Sequence, residues 1–171
     1  MSTSSEPQRP SLRVGVLSDT HGLLRPRVME ILSGCDLLLH AGDVGDISLL
    51  RALRTLAPVT AVRGNVDTAG AVSELPASAH GTLDPPGTAS GEGPVYRMTH
   101  RREDIPLAWF SDSRLLVFGH SHRPELERRG ECLLLNPGAC GHRRFSLPLT
   151  VAVVTVTAEG RLEAEILSVE G

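Results

Sequence analysis

An α/β fold is predicted for this chain by the alternation of apolar runs with helix-spaced segments, and by where the runs end. The runs VGVLSDTH, LLLHAGD, VTAVRGN, VYRMTH and LLVFGHSH each read as a buried strand that finishes in a polar cluster. The first three are separated by segments with helical spacing. This β-α-β-α-β rhythm implies parallel strands joined by crossovers.

The elements follow in order. Residues 12–18 form a first strand. In LLRPRVMEILSGC, Val28, Ile31 and Leu32 share a helical face, and Gly34 is a C-terminal stop. Residues 36–40 are a second strand. A second helix is expected over 47–56, with Leu49, Leu50, Leu53 and Leu56 on one stripe. Pro58 opens a third strand, 59–63. Residues 67–93 are rich in Pro, Gly, Ala and Ser and read as a long loop with room for one short strand. A strand at 95–99, a short helix near 102–110 and a strand at 114–118 follow. Gly130 separates 125–129 from 131–135, and Glu159-Gly160 separates 149–157 from 162–169, giving two hairpins.

Composition sets bounds. The 171 residues suit one domain, 12–171, after a flexible N-terminal tail, 1–11. A net charge of -3 and few aromatics argue against a nucleic-acid surface or a base-stacking platform. The apolar stretches are too short and interrupted for a membrane helix, and residues 1–11 lack the apolar core of a secretory signal. Cys35, Cys132 and Cys140 show no CxxC spacing, which fits reduced, packed thiols in a cytoplasmic protein.

The strand ends carry the chemistry. They deliver Asp19, His21, Asp43, Asn65, His100, His120 and His122, expected together at one edge of one sheet, where open α/β folds bind ligands. Singly each motif is weak, since Gly-Asn is usually a turn and a lone loop His is usually solvated. Five clusters at five strand ends argue jointly for a metal centre. Asn oxygen, carboxylate and imidazole together suit Mn²⁺ first, with Ni²⁺, Fe or Zn²⁺ as alternatives. Two divalent ions bring four positive charges against two from Asp19 and Asp43, so the site stays positive and suits a small phosphate ester. No Ser-His-Asp or Cys-His pattern competes.

The ordered set SDTH, GD, GN, TH and GHSH followed by NPG resembles the calcineurin-like metallophosphoesterase superfamily, in its small bacterial and archaeal phosphodiesterase branch. The resemblance spans about residues 12–169. It implies a four-layer α-β-β-α sandwich with two mixed sheets and the metal site at the C-terminal ends of strands. It also implies that Asp19, His21, Asp43 and His122 hold one ion, and that Asp43, Asn65, His100 and His120 hold the other. Asp43, Asn65 and His100 then take catalytic roles, and a metal-bridging hydroxide attacks a small phosphodiester. Asn136-Pro137-Gly138 matches a family turn.

The chain departs from that family at three places. The resemblance implies that many relatives carry a His after Gly-Asn that helps protonate the leaving group; here it is Val66, leaving Asp67 and His142 as candidates. Relatives place Gly after the TH histidine; here Arg101 and Arg102 follow. Arg63, Asn65 and Arg101 are candidate substrate contacts. The third departure is the low-complexity loop 76–94. His40 is expected either to orient Asp43 or to bond backbone, and His80 to lie in a solvated loop. Competing readings are a phosphomonoesterase or protein phosphatase with the same site, and a non-catalytic scaffold like the related retromer subunit. Apolar positions on a late hairpin offer a homo-oligomer contact.

Overall fold

A computed structural model describes residues 10–170. The expected tail, 1–11, falls almost wholly outside the described residues. Two five-stranded sheets organise the described chain. In the first, β1 (Leu12–Leu17), β2 (Leu37–His40) and β3 (Val59–Ala61) run parallel. The strands β9 (Thr150–Val156) and β10 (Leu162–Ser168) add antiparallel, giving the order β10-β9-β1-β2-β3. The second sheet contains β4 (Ser78–Thr82), β5 (Val95–Thr99), β6 (Leu115–Val117), β7 (Glu125–Arg129) and β8 (Cys132–Asn136), ordered β4-β5-β6-β8-β7. There β5, β6 and β8 are parallel, and β4 and β7 are antiparallel to their neighbours.

Period-two alternation sorts the core into layers. On β2, Leu38 faces the helices α1 (Pro26–Leu32) and α2 (Ile47–Leu53), packing with Val28, Leu32, Leu50 and Leu53. Leu39, its neighbour, faces the other way and packs with Val117, Leu133 and Leu135 of the second sheet. The outer face of that sheet buries Leu116, Phe118 and Leu134 under Ile105, Trp109 and Phe110. The architecture is therefore the expected α-β-β-α sandwich, with a thin last layer. That layer is a 3₁₀ turn, Arg102–Asp104, and the single-turn α3, Trp109–Asp112.

Element ends follow local chemistry. α1 begins at Pro26, whose fixed φ and missing N–H suit a first helical position, so residues 23–25 stay outside it. Asp46 caps α2 by accepting a hydrogen bond from Ser48 N at 2.8 Å. The helix expected over 102–110 is broken. Pro106 lacks a donor and biases Ile105 toward the extended region it occupies (ψ 113°). The segment 67–93 holds a 3₁₀ turn, Ala71–Glu74, and β4. His80 thus sits exposed on an edge strand paired with Arg97, not in a loop. No helix among the described residues is long and apolar enough to cross a membrane.

Candidate metal centre

All seven ligand-type residues lie just past the C-terminal ends of strands, but they come from both sheets rather than one. Asp19 and His21 follow β1, Asp43 follows β2 and Asn65 follows β3. His100 follows β5, and His120 and His122 follow β6. An apolar run locates a strand's end but carries no information on which sheet the strand joins, which is why one sheet was expected.

The backbone there is unusual. Asp19, His21, Asp43, His120 and His122 all have positive φ, between 46° and 72°. Such conformations cost on the order of 1–3 kcal/mol each in residues other than Gly, and they cluster at functional sites. Hydrogen bonds between loops hold them in place. Asp19 N donates to Gly42 O at 3.0 Å, His21 N to Asp43 O at 2.9 Å and Gly22 N to Val44 O at 2.8 Å. Two glycines make room: a Cβ on Gly64 would overlap Asp43 Oδ1, and one on Gly119 would overlap Ser18 Oγ and approach Asp19 Oδ2 at 2.7 Å.

The side chains form two sets whose ligand atoms lie within 4.8 Å of one another, Asp19 with His21 and His122, and Asp43 with His100 and His120. Asp43 stands between them. Its Oδ2 is 3.6 Å from His21 Nε2 and 3.2 Å from His100 Nε2. Asn65 Oδ1 completes the second set, 3.0 Å from His100 Nε2 and 2.9 Å from His120 Nδ1.

This arrangement fits bound cations. Asp19 Oδ1, His21 Nε2 and His122 Nδ1 are buried with no hydrogen-bond partner, a costly state for polar atoms. His100 Nδ1 lies 2.7 Å from Ala41 O and must donate to it. In the neutral ring Nε2 then carries a lone pair that faces the oxygens of Asn65 and Asp43. Those electron pairs repel unless a positive charge lies among them. The protonation equilibria of these groups carry the same tension. Burial would raise the Asp19 carboxyl, but His122, His21 and Ser18 outweigh it and hold it far below the ordinary range. Asp43 is likewise raised by burial and then lowered further by His100 and Val66 N, a net fall. His100 is lowered by burial but raised overall by Asp43 and Asp19.

Several buried polar groups support the ligands. Ser18 Oγ donates to Asp19 Oδ2 at 2.6 Å, as does His120 N at 3.0 Å, which leaves Oδ1 as the open atom. His40 bonds backbone and a hydroxyl, not Asp43. Its Nδ1 accepts from Gly42 N at 3.2 Å, so Nε2 donates to Thr20 Oγ1 at 3.0 Å, and Thr20 in turn donates to Val44 O at 2.9 Å. Complete burial pushes the His40 imidazole down to about 4, so it is neutral. Asp67 is not placed to supply a proton. It is buried, and accepts from Val44 N (3.0 Å), Gly45 N (2.9 Å) and Gly64 N (2.9 Å). These bonds tie the Asp43 loop to the Asn65 loop. The sequence signal was available in Asp67's place two residues past Asn65, but a carboxylate's donors are invisible without the fold. Ser18 and Thr20, flanking Asp19, were missed for the same reason.

The remaining candidates differ. Val66 is 44% exposed and uses its N–H to reach Asp43 Oδ1 at 3.0 Å. Arg63 and Arg101 line a cavity beside Asn65 and His100. Arg102 turns away, pairing with Glu125 and Glu127 and lying 5.6 Å from the Phe118 ring centroid. His142 is exposed. Cys140 is fully buried, and burial raises its thiol to about 12, so it is not a nucleophile at neutral pH.

Two mixed sheets stacked face to face, with a His–Asp–Asn cluster across their strand ends, define a metal-site phosphoesterase architecture. The chain belongs to the calcineurin-like phosphoesterase superfamily, whose domain model matches residues 12–159. It is 31% identical over 159 residues to a probable metallophosphoesterase of Methanothermobacter thermautotrophicus, covering 90% of this chain and 91% of that one. Its fold superposes on a novel archaeal phosphodiesterase with a TM-score of 0.71 at 19% identity, covering 91% and 100% of the two chains. It also superposes on vacuolar protein sorting 29 from Cryptosporidium parvum, with a TM-score of 0.72 at 16% identity and coverage of 92% and 97%. Divalent metal is the cofactor the family implies, and the open ligand atoms described above suit it.

Proposed function

We propose that the protein is a dinuclear metal phosphodiesterase acting on small diesters. The observation that carries this reading is Asp43 Oδ2 standing between His21 and His100, one from each ligand set. Asp19, His21, Asp43 and His122 would hold one ion; Asp43, Asn65, His100 and His120 would hold the other. When bound, a pair of divalent ions polarises the phosphoryl oxygens and lowers the pKa of water toward neutrality for in-line attack. The absence of thiolates from both sets supports Mn²⁺ over softer ions.

The chain's own residues orient and protect. Ser18 and His120 N fix the Asp19 carboxylate, and Ala41 O fixes the His100 ring so that Nε2 faces inward. Within the Asn65 turn itself, the Val66 side chain has no proton to give and the Asp67 carboxylate is held by three amides. A phosphoesterase without a general acid favours esters whose leaving groups need little help. Three buried, unpaired cysteines support a cytoplasmic location.

The test is metal analysis of protein purified without added metal, followed by hydrolysis of bis(p-nitrophenyl) phosphate and p-nitrophenyl phosphate with Mn²⁺ present. The expected result is two ions per chain and at least tenfold higher kcat/KM on the diester. Preference for the monoester would favour a phosphomonoesterase. Inactivity on both, with metal bound, would favour a scaffold.

A further inference from the structure

A cavity of about 430 Å³ opens directly beside the second ligand set. Its wall includes Asn65 and His100, so the cavity offers room for one arm of an ester phosphate held there. The rest of the wall is distinctive. It includes two arginines, Arg63 and Arg101, and the chain's single Trp, Trp109. The volume falls within the range of pockets that enclose a small organic ligand.

The two arginines hold unspent donors. Arg63 donates from Nη1 to Leu75 O at 2.7 Å, which anchors its head group and leaves other N–H groups of the fork open. Arg101 has no hydrogen bond or ion pair from its side chain among the described residues. Asp104, which also lines the cavity, makes no ion pair with either among the described residues. Arg102, the next residue, is fully engaged by Glu125 and Glu127. Arg101 therefore keeps the donors of its guanidinium fork available to a ligand. Guanidinium groups recognise phosphate by paired, charge-assisted N–H···O bonds. Trp109 is half-buried, packed against the Phe118 cluster with Arg97 5.5 Å from its ring centroid, so it is a rigid wall for a flat group.

We propose that this groove selects phosphodiesters in which one arm is nucleotide-sized and bears a second phosphate, with Arg101 and Arg63 binding that phosphate. This rests on the phosphodiesterase reading above and adds the substrate class to it.

Two chromogenic substrates isolate the effect. Thymidine 5'-(p-nitrophenyl phosphate) and its 3'-phosphorylated form release the same nitrophenolate and differ only in the second phosphate. Wild type loaded with Mn²⁺ should show about tenfold higher kcat/KM on the 3'-phosphorylated form, mostly through KM. Arg101→Ala should reduce that ratio to near one, and Arg101→Lys should restore part of it. A merely structural role would slow both substrates alike and leave the ratio unchanged. Calorimetry should show the same preference for thymidine 3',5'-bisphosphate over the 5'-monophosphate, lost in Arg101→Ala. A wild-type ratio near one, or an unchanged ratio in the variant, overturns the proposal while hydrolysis of bis(p-nitrophenyl) phosphate keeps the phosphodiesterase reading intact. Inactivity on every diester overturns both.

Discussion

At the scale of single residues, the candidate ligand types were legible because metal chemistry restricts donors to a few side chains, and strand ends could be counted. What those donors lean on was not legible. Asp67 reads in the sequence as a spare acid, yet its carboxylate accepts from three backbone amides of two different loops. Asp67→Asn turns one acceptor oxygen into a donor facing another N–H. Hydrogen bonds to a charged group contribute about 1.5–3 kcal/mol, so a loss of roughly 2 kcal/mol is expected in urea unfolding, together with weaker metal binding. The acid limb of the pH–rate profile should not move; if it moves, Asp67 transfers a proton after all. Val66 gives the complementary prediction. Wild type should slow steeply as the leaving group's pKa rises, and Val66→His should flatten that dependence for alkyl esters. General acid help is typically about 10²–10⁴ in rate. A flat dependence in wild type, with chemistry rate-limiting, points instead to another donor, and exposed His142 is the next to replace. His40 predicts a stability effect. Its folded pKa, about 4, lies below the ordinary 6.5 because of burial. The unfolded chain therefore takes up the proton first as pH falls, and stability present above about 6.5 declines down to about 4. Linkage at about 1.4 kcal/mol per pH unit makes the total roughly 3 kcal/mol. The lowered Asp19 and Asp43 act below this window, and the raised His100 acts above it, in the opposite sense. In EDTA, His40→Gln should flatten the slope of unfolding free energy between pH 6.5 and 4, and an unchanged slope would assign it elsewhere.

At the scale of elements, strands marked by apolar runs and turn residues were read nearly to the residue, whereas short elements were set by single local events. Pro26 and Pro106 moved two helix boundaries, and β4 formed from a segment with no apolar period. β4 is an edge strand whose pairing with β5 supplies its order, and its residues are exposed or half-buried, so no core pattern was required of it. The thin outer layer shows another device. Arg97, Arg102 and Arg129 lie 5.5, 5.6 and 5.1 Å from the ring centroids of Trp109, Phe118 and Phe110. Their stems and guanidinium groups cover apolar surface that a longer helix would otherwise shield. The turns that carry ligands depend instead on the absence of a side chain. Gly119 lies against Ser18 and Asp19 so closely that a methyl must displace one of them. Because Ser18 sets the Asp19 carboxylate, Gly119→Ala should lose one metal before it loses the fold. The expected outcome is stoichiometry falling toward one ion, with far-ultraviolet circular dichroism unchanged. Full occupancy in that variant would show that the turn relaxes without disturbing the ligand.

At the scale of the whole molecule, the site is a seam. Each ligand set draws from both sheets: Asp19 and His21 with His122, and Asp43 and Asn65 with His100 and His120. The sequence could place every strand end but not this division, since sheet membership depends on long-range pairing that leaves no local pattern. The division has an energetic consequence. Without cations, two buried carboxylates sit among lone pairs and partnerless polar atoms at the edge where the sheets meet. On the proposed ligand assignment, a bound ion would remove that penalty and draw on residues of both sheets, and it would do so only in the folded state. Binding confined to the folded state stabilises by RT ln(1 + [L]/Kd), about 2.7 kcal/mol per site at a hundredfold excess over Kd. Two sites sharing Asp43 should therefore raise the unfolding free energy by roughly 5 kcal/mol between EDTA and saturating Mn²⁺. Removing the shared carboxylate with Asp43→Ala should abolish both the metal-dependent rise and hydrolysis. His120→Ala, which strips a ligand from one set, should keep about half the rise and bind close to one ion, with a large loss of rate. His122→Ala should do the same through the other set. The measurement is urea unfolding of the four proteins with and without Mn²⁺, alongside metal content. An Asp43→Ala protein that still gains stability from Mn²⁺ and holds two ions would show that the two sets do not share that carboxylate.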